Sequence, residues 1–189
     1  MKKVLLAAML LSGLFMSVHS QAQGTMKTEQ TVMVGGAAMY PSKDIVSNAM
    51  NSQDHTTLVA AVKAAGLVET LQGAGPFTVF APTNAAFDKL PAGTVDNLLK
   101  EENKPALTGI LTYHVVAGKL DSKELMKKIK DGHGTYELKT VAGGKLWVME
   151  KGKNLVLKDE KGNTANITIK DVYQSNGVIH VIDTVLMPQ

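Results

Sequence analysis

Up to about residue 132, apolar positions recur with the spacing of amphipathic helices. In DHTTLVAAVKAAGL, apolar side chains return every three or four positions, with Asp54 or Thr56 placed to cap the start and Gly66 the end. The segment KPALTGILTYH carries Pro105 in its first turn, where a helix tolerates proline. DSKELMKKIKDG opens on Asp121 with a glutamate three positions later, which is a capping box. These segments predict three helices.

Beyond about residue 134 the pattern changes to an alternation with a period of two. Short β-branched or aromatic runs are separated by turns rich in glycine, asparagine and lysine. The runs are TYELKTV, KLWVME, NLVLKDE, ANITIKDVY and VIHVIDTVL. A further buried strand, Thr78 to Phe80, lies within the helical part. Helices first and an antiparallel meander last indicate an α+β domain, and the lack of an internal repeat excludes solenoids and propellers.

The start of the chain has the pattern of a secretory signal peptide. Lys2 and Lys3 precede an apolar run, Val4 to Val18, which is short for a membrane span. Ala22 offers a small side chain just before the expected cleavage point. We therefore expect an exported protein, periplasmic or extracellular. The predicted organisation is a signal peptide (1–22), a flexible lead-in (23–40) and one folded domain (41–188).

The charged residues exclude several classes of function. Without Lys2 and Lys3, the 20 basic residues fall to 18 against 17 acidic residues, so the exported chain is nearly neutral. Every basic residue is lysine, and the absence of arginine disfavours bidentate recognition of phosphate or guanine. We therefore expect no nucleic-acid partner. The sequence also has no cysteine, which removes disulfides, thiolate nucleophiles and cysteine-based zinc sites.

The stretch SNGVIHVIDTV holds Ser175, His180 and Asp183, the three residue types of a hydrolase triad. Asn176-Gly177 between alternating runs predicts a tight hairpin with both turn residues at positive φ. His180 and Asp183 then lie on opposite faces of the last strand, and Ser175 lies about 16 Å from His180 along it. A triad needs contacts of about 3 Å, so the spacing predicts a structural strand without catalytic residues. The expected cross-strand pairs are Ser175 with Val178, Tyr173 with His180, and Lys170 with Asp183.

No other motif predicts a cofactor or a metal site. None of the five histidines has the paired spacing of a zinc site, although a site assembled from distant histidines stays an alternative. The sequence contains neither a Walker loop nor a dinucleotide fingerprint. The alternative function is that of a binder of small molecules or carbohydrates, or of a weak hydrolase, which would use a cleft near His55, His133 or Tyr136. We expect no cofactor.

Three segments, in register with one another, carry a family resemblance. They are GPFTVFAPTNAAFDKLP (75–91), LTYHVVAGKL (111–120) and NGVIHVIDTVLMP (176–188). In that order and spacing they closely resemble the fasciclin domain family, over about residues 41–188. Within these motifs, Thr83 is placed to cap a helix that begins at Asn84. His114 and His180 lie among apolar residues, so both are interpreted as hydrogen-bonded core histidines.

The resemblance implies a compact wedge-shaped β-sandwich of about seven short strands, with several helices packed on one side. It also implies a non-enzymatic module for cell adhesion, with a cell-surface or matrix protein or a polysaccharide as partner; a monomer is favoured. In animal relatives, partner binding has been assigned to an Asp-Ile pair before the Asn-Gly turn and to the Tyr-His segment. The matching positions here are Asp171-Val172 and Tyr113-His114. If His114 and Val172 belong to the core, their side chains do not reach the folded surface.

Overall fold

The computed structural model describes residues 30–189. This part contains nine strands, seven α-helices and two short 3-10 turns (Gln53–His55 and Glu101–Asn103). The strands are β1 (Val32–Val34), β2 (Ala37–Met39), β3 (Phe77–Pro82), β4 (Val115–Ala117), β5 (Thr135–Lys139), β6 (Lys145–Lys151), β7 (Asn154–Lys158), β8 (Thr164–Gln174) and β9 (Gly177–Ile182). The helices are α1 (Ile45–Ala49), α2 (Thr56–Ala65), α3 (Val68–Gln72), α4 (Asn84–Phe87), α5 (Thr94–Leu98), α6 (Lys104–Tyr113) and α7 (Ser122–Asp131). The predicted signal peptide lies outside the described residues.

Seven of the strands form one curved sheet in the order β4-β3-β9-β8-β7-β6-β5. Strands β3 and β9 run parallel, with Phe77 opposite Gly177, and all other neighbours in this sheet are antiparallel. An isolated bridge between Val116 and Thr140 joins β4 to the residue after β5, so the sheet nearly closes into a barrel. The predicted α+β fold, with seven main strands and helices packed on one side, is confirmed.

Alternate side chains of β3 and β9 point into two hydrophobic cores. On the helical side, Val79 and Ile179 pack with side chains from α1, α2, α3 and α6. On the inner side of the curved sheet, Phe80 and Ile182 pack with β5 to β8 and with α7. Both strands are buried on two faces, which is why their sequences are continuous apolar runs.

The start of α7 and the end of α2 lie where their capping residues predict. The Asp121 carboxylate accepts a hydrogen bond at 2.9 Å from the N–H of Glu124 and begins α7. Gly66 ends α2 in the left-handed conformation, with φ 72°. Pro105 lies in the first turn of α6, as expected. Local sequence therefore fixes these boundaries.

Residues 32–39 form an ordered hairpin, so the predicted flexible lead-in (23–40) is wrong for this part. Strands β1 and β2 pair antiparallel through a Gly-Gly turn. Val34 and Met39 are 4% and 3% exposed and belong to the helical-side core. Each strand has only three residues, too few for alternation to stand out in the sequence.

The β8–β9 hairpin turns one residue earlier than predicted. Gln174 lies opposite Gly177, so Ser175 and Asn176 form the turn. Gly177 is the first residue of β9 and does not have a positive φ. The Asn-Gly pair was therefore a misleading turn signal, because these two residues serve tertiary contacts described below.

The cross-strand pairing of the hairpin also differs from the predicted one. Two irregularities in β8, between Ile167 and Ile169 and between Ile169 and Val172, shift the register, and Asp171 takes the left-handed φ of 61°. Alternation along a sequence does not reveal such bulges. The observed pairs are Tyr173 with Val178, Val172 with Ile179 and Ile169 with Val181, so the three pairs expected for Ser175, Tyr173 and Lys170 are wrong.

Candidate functional site

Tyr113 lies where α6 ends, just before β4. It is fully buried, and its hydroxyl donates a hydrogen bond to Lys145 O at 2.6 Å and accepts one from Glu160 N at 3.2 Å. Burial raises the pKa of Tyr113 to about 12, so the hydroxyl stays protonated at neutral pH. Tyr113 thus ties α6 to β6 and to the turn between β7 and β8.

His114 is 3% exposed, and both of its ring nitrogens have partners. Nδ1 donates to Ile110 O at 2.8 Å, and Nε2 accepts from Leu186 N at 3.0 Å. Only the neutral ring with its hydrogen on Nδ1 fits this pattern, because a carbonyl cannot donate and an amide N–H cannot accept. Burial lowers the pKa of His114 to about 4, against weaker opposing effects of the Ile110 carbonyl and Asp159. His114 therefore fastens the C-terminal segment to α6.

The Asp171 carboxylate is used within the fold. Its Oδ1 accepts from Ser122 N at 2.6 Å, and its Oδ2 accepts from the Ser122 hydroxyl. Ser122 is the first residue of α7, so a carboxylate here complements the partial positive charge of the helix N-terminus. The left-handed backbone of Asp171 turns its side chain toward this helix start, away from the regular ladder of β8.

Val172 and Tyr173 differ sharply in exposure. Val172 is 1% exposed and belongs to the helical-side core. Tyr173 is 37% exposed; its hydroxyl donates to Asp121 Oδ2 at 3.2 Å, and Lys119 Nζ lies 4.9 Å from its ring centroid. Tyr173 was not among the predicted site residues, because the predicted register paired it with His180. The available signal was the alternation of the strand: Tyr173 follows the buried Val172, so its side chain points to the opposite face of the sheet.

His180 joins the last strand to the start of α7. It is fully buried, Nε2 donates to Leu120 O at 2.8 Å, and the Asp171 N–H approaches Nδ1 at 3.4 Å. The ring stacks on Phe80 with centroids 5.7 Å apart. Burial lowers the pKa of His180, so the ring is neutral. All its polar groups serve the fold.

Ser175, His180 and Asp183 do not form a triad. Asp183 lies just after β9, where its Oδ1 accepts from Asn166 N and its Oδ2 from Asn166 Nδ2, both at 2.8 Å. Burial opposes ionisation of Asp183, but hydrogen bonds from Asn166 and Thr184 and the charge of Lys89 outweigh it and lower the pKa. The ring nitrogens of His180 are already engaged by Leu120 and Asp171, which leaves neither for a serine hydroxyl or for Asp183.

Thr83 and Asn84 hold two helix starts together. The Thr83 hydroxyl accepts from Ala86 N at 3.2 Å and caps α4. The Asn84 Oδ1 accepts from Thr57 N at 3.0 Å and so serves the start of α2, where His55 at the N-cap position supplies no side-chain bond. The expected cap of α2, at Asp54 or Thr56, is thus replaced by a residue from another helix.

Asn176 and Gly177 position the hairpin against the helices. Asn176 is buried; its Oδ1 accepts from Ile45 N at 3.1 Å, and its Nδ2 donates to Leu71 O at 2.8 Å and to Gly73 O at 2.9 Å. A Cβ on Gly177 would lie 2.2 Å from the carbonyl oxygen of Phe77. The Asn-Gly pair is thus required by close tertiary contacts and not by turn geometry.

The three residues considered for a cleft have different surroundings, and one of them, Tyr136, lines an open cleft of about 460 Å³. His55 is 3% exposed and bonds Ser52 Oγ through Nδ1 at 2.9 Å. His133 is exposed in a turn with φ 56°, and Tyr136 lies half-buried beneath Lys128, whose Nζ is 5.0 Å from its ring centroid. Within residues 30–189, no three His, Asp or Glu side chains are grouped closely enough to hold a metal ion.

Comparison with known proteins identifies the family. The model of the fasciclin domain matches residues 53–188, and this chain belongs to the fasciclin domain family. Protein sll1483 of Synechocystis sp. is 44% identical over 179 residues, which cover 94% of this chain and 92% of that protein. The cell surface glycolipoprotein MPB83 of Mycobacterium bovis is 38% identical over 160 residues, which cover 82% of this chain and 64% of MPB83.

The fold also has a solved counterpart. The structure of a FAS1 domain pair from the insect cell adhesion molecule fasciclin I matches with a TM-score of 0.68 and 19% identity, over 85% of this chain and 58% of that one. At this identity the match shows the fold alone. In the part of the chain that the structure describes, no helix is long and apolar enough to cross a membrane.

Proposed function

We propose that this protein is an exported, non-enzymatic interaction module that attaches to a cell-surface or matrix partner, either a protein or a polysaccharide. Its membership of the fasciclin family supports this function, as do a cell-surface protein among its relatives and the fold it shares with a cell adhesion molecule. The proposal includes export of the chain after removal of residues 1–22.

The observation that carries the proposal is the use of the family-motif side chains inside the fold. The polar groups of His114, His180 and Asp171 are all occupied by hydrogen bonds to the backbone or to Ser122. A catalytic histidine needs one ring nitrogen directed at a nucleophile or a substrate, and neither histidine has one to offer. The arrangement favours a structural role for these residues and leaves recognition to the surface around them.

We place the partner contact on the exposed surface beside the motif. Asp171 and Val172 then act by holding the backbone that presents Tyr173, whereas Tyr113 holds α6 against β6 and His114 holds it against the C-terminal segment. This ring has the properties of an interface residue: an apolar body, a polar end and little rotational freedom. Its neighbours Lys119 and Asp121 hold it in one orientation, which reduces the entropy lost on binding.

Binding of purified residues 23–189 to the envelope fraction of the producing organism tests the proposal. We expect saturable binding, and a loss of about tenfold in affinity for Tyr173→Ala without a change in thermal stability. Tyr40→Ala is the matched control, because Tyr40 is 39% exposed and the Nζ of Lys43 lies 5.0 Å from its ring centroid. Non-saturable binding, or ester or peptide hydrolysis by the wild-type protein, would contradict the proposal.

A further inference from the structure

The outer face of the sheet carries an aromatic surface that neither core uses. Trp147, the single tryptophan of the chain, is partly exposed on β6, between the buried Leu146 and Val148. Met149 lies two residues further along the same face and opposite Val156 of β7. Trp147 and Met149 pack in neither hydrophobic core of the described residues.

Polar and charged side chains surround this aromatic surface. Trp147 lies directly opposite Glu137 on one neighbouring strand and Lys158 on the other. Residues directly opposite in an antiparallel pair share a face, so the indole is flanked on both sides by charge. Glu137 is held by Lys145 at 3.1 Å, and no salt bridge of Lys158 occurs among residues 30–189. An open cleft of about 460 Å³ is lined by Trp147 and Met149, by Lys158 and Lys161, and also by Asp159 and Glu160 of the turn between β7 and β8.

The wall of this cleft is held in place by the fold. The turn between β7 and β8 is fastened by Asp159, which is 1% exposed and accepts from Asn163 N at 2.7 Å and from Met187 N at 3.0 Å. The N–H of Glu160 in the same turn donates to the Tyr113 hydroxyl at 3.2 Å. A site built on strands and a braced turn loses little entropy when it binds a ligand.

Charge is divided unevenly along the chain, and this cleft lies in the positive part. Residues 119–164, which span α7 and β5 to β7, carry eleven lysines against seven acidic residues, an excess of four positive charges. The rest of residues 30–189 carries six lysines against nine acidic residues, an excess of three negative charges. The near-neutral total therefore conceals a positively charged segment, and positive charge attracts polyanions. Part of this charge lies on α7, which packs against the inner face of the sheet, and Lys158 and Lys161 are the lysines of the segment that line the cleft.

We propose that the Trp147 face, defined as Glu137, Trp147, Met149, Lys158 and Lys161, binds an anionic polysaccharide. The indole ring offers a flat surface on which the C–H groups of a sugar ring stack, and the lysines pair with carboxylate or sulfate groups along the chain. Lysine suits such diffuse anions, whereas the lack of arginine disfavours the bidentate contacts typical of nucleic-acid sites. This site is separate from the Tyr173 surface and does not depend on it.

Binding of residues 23–189 to alginate, a carboxylated polysaccharide, tests the site, with neutral dextran, polyglutamate and duplex DNA compared at equal salt. We expect alginate to bind most tightly, with affinity falling as salt is raised. Trp147→Ala and Lys158→Glu should each weaken alginate binding by about tenfold or more. Lys100→Glu, the same charge change on an exposed residue in the acidic part, should stay within about twofold.

The variants also separate this proposal from the proposed adhesion function. Tyr173→Ala should leave alginate binding unchanged while it weakens envelope binding. If Trp147→Ala lowers the melting temperature, the result for Lys158→Glu decides the test, because Lys158 is exposed. Three outcomes would overturn the proposal: no alginate binding, polyglutamate or DNA binding as tightly as alginate, or an equal loss for Lys100→Glu. The second would indicate an acidic protein or nucleic acid as ligand, and the third a response to net charge alone.

Discussion

At the residue scale, the family-motif side chains connect parts of the chain that are far apart in sequence. His114 links α6 to Leu186, Asn176 links the last hairpin to α1 and α3, and Asp171 links β8 to the start of α7. Each of these side chains forms two or more hydrogen bonds and is buried or half-buried. Buried polar groups cost most when one partner is removed, so these residues are expected to respond strongly to substitution.

His114→Ala should destabilise the fold by about 1–3 kcal/mol, because it removes packing and leaves the buried Leu186 N–H without an acceptor. Urea unfolding measures the change in the free energy of unfolding. His133→Asn is the control, since His133 is exposed and asparagine tolerates its positive φ. Unchanged stability of His114→Ala, together with a loss of ligand or metal binding, would assign His114 to a binding site instead.

Stability should fall on mild acidification because His114 is buried in its neutral form. Its folded-state pKa of about 4 lies below the ordinary value of 6.5, so the unfolded chain binds the additional proton between these values. The His114 contribution is thus fully present above pH 6.5 and is lost as the pH falls towards 4. His55 and His180 act in the same direction, since burial lowers both pKa values.

The free energy of unfolding in urea, compared at about pH 7 and pH 5, measures this effect. We expect the wild-type value to fall by about 2 kcal/mol more than that of His114→Ala over this interval, from the size of the His114 shift. Identical pH dependence of the two proteins would show that His114 is not held neutral in the folded state.

At the element scale, the parallel pairing of β3 and β9 depends on a close approach at Gly177. Gly177→Val should cost about 1–3 kcal/mol through overpacking, because any Cβ meets the Phe77 carbonyl at 2.2 Å and the Ile45 side chain at 3.0 Å. The cause is steric crowding and not a positive φ. Thermal unfolding checks this, with Gly109→Ala as control: Gly109 lies in α6 with open space around it.

The control should behave in the opposite way from the Gly177 variant. Alanine at position 109 is expected to raise stability by about 0.5–1 kcal/mol, because glycine is a poor helix former. An unchanged melting temperature of Gly177→Val would show that β3 and β9 do not approach each other as closely as described at Gly177.

Local sequence patterns predicted the long helices and strands, whereas the strand register and the exposure of single residues depend on contacts between residues far apart in sequence. Helices α2, α6 and α7 and strands β5 to β9 follow from periodicity and capping residues, so most of the fold was accessible from the sequence. The register of β8 depends on the contact of Asp171 with Ser122, 49 residues away in sequence, which no local pattern contains. For the same reason the exposed Tyr173 was missed, although its strand was predicted.

At the scale of the whole molecule, the β1–β2 hairpin is part of the folded unit. A chain that begins at Tyr40 should lose about 3–5 kcal/mol, because Val34 and Met39 leave the helical-side core. Comparing its urea unfolding with that of residues 23–189 measures the loss. Equal stability of the two chains would restore the original prediction of a flexible lead-in.

In this protein the family motif builds the fold, and we propose that the surface beside the motif makes the contact with the partner. Affinity for the envelope fraction and melting temperature, measured together for Tyr173→Ala and His114→Ala, test it most directly. We expect Tyr173→Ala to lose affinity at an unchanged melting temperature, and His114→Ala to have a lower melting temperature but to bind normally at temperatures where it is folded. Normal binding by Tyr173→Ala, with binding abolished in fully folded His114→Ala, would instead place the partner contact at the motif side chains themselves.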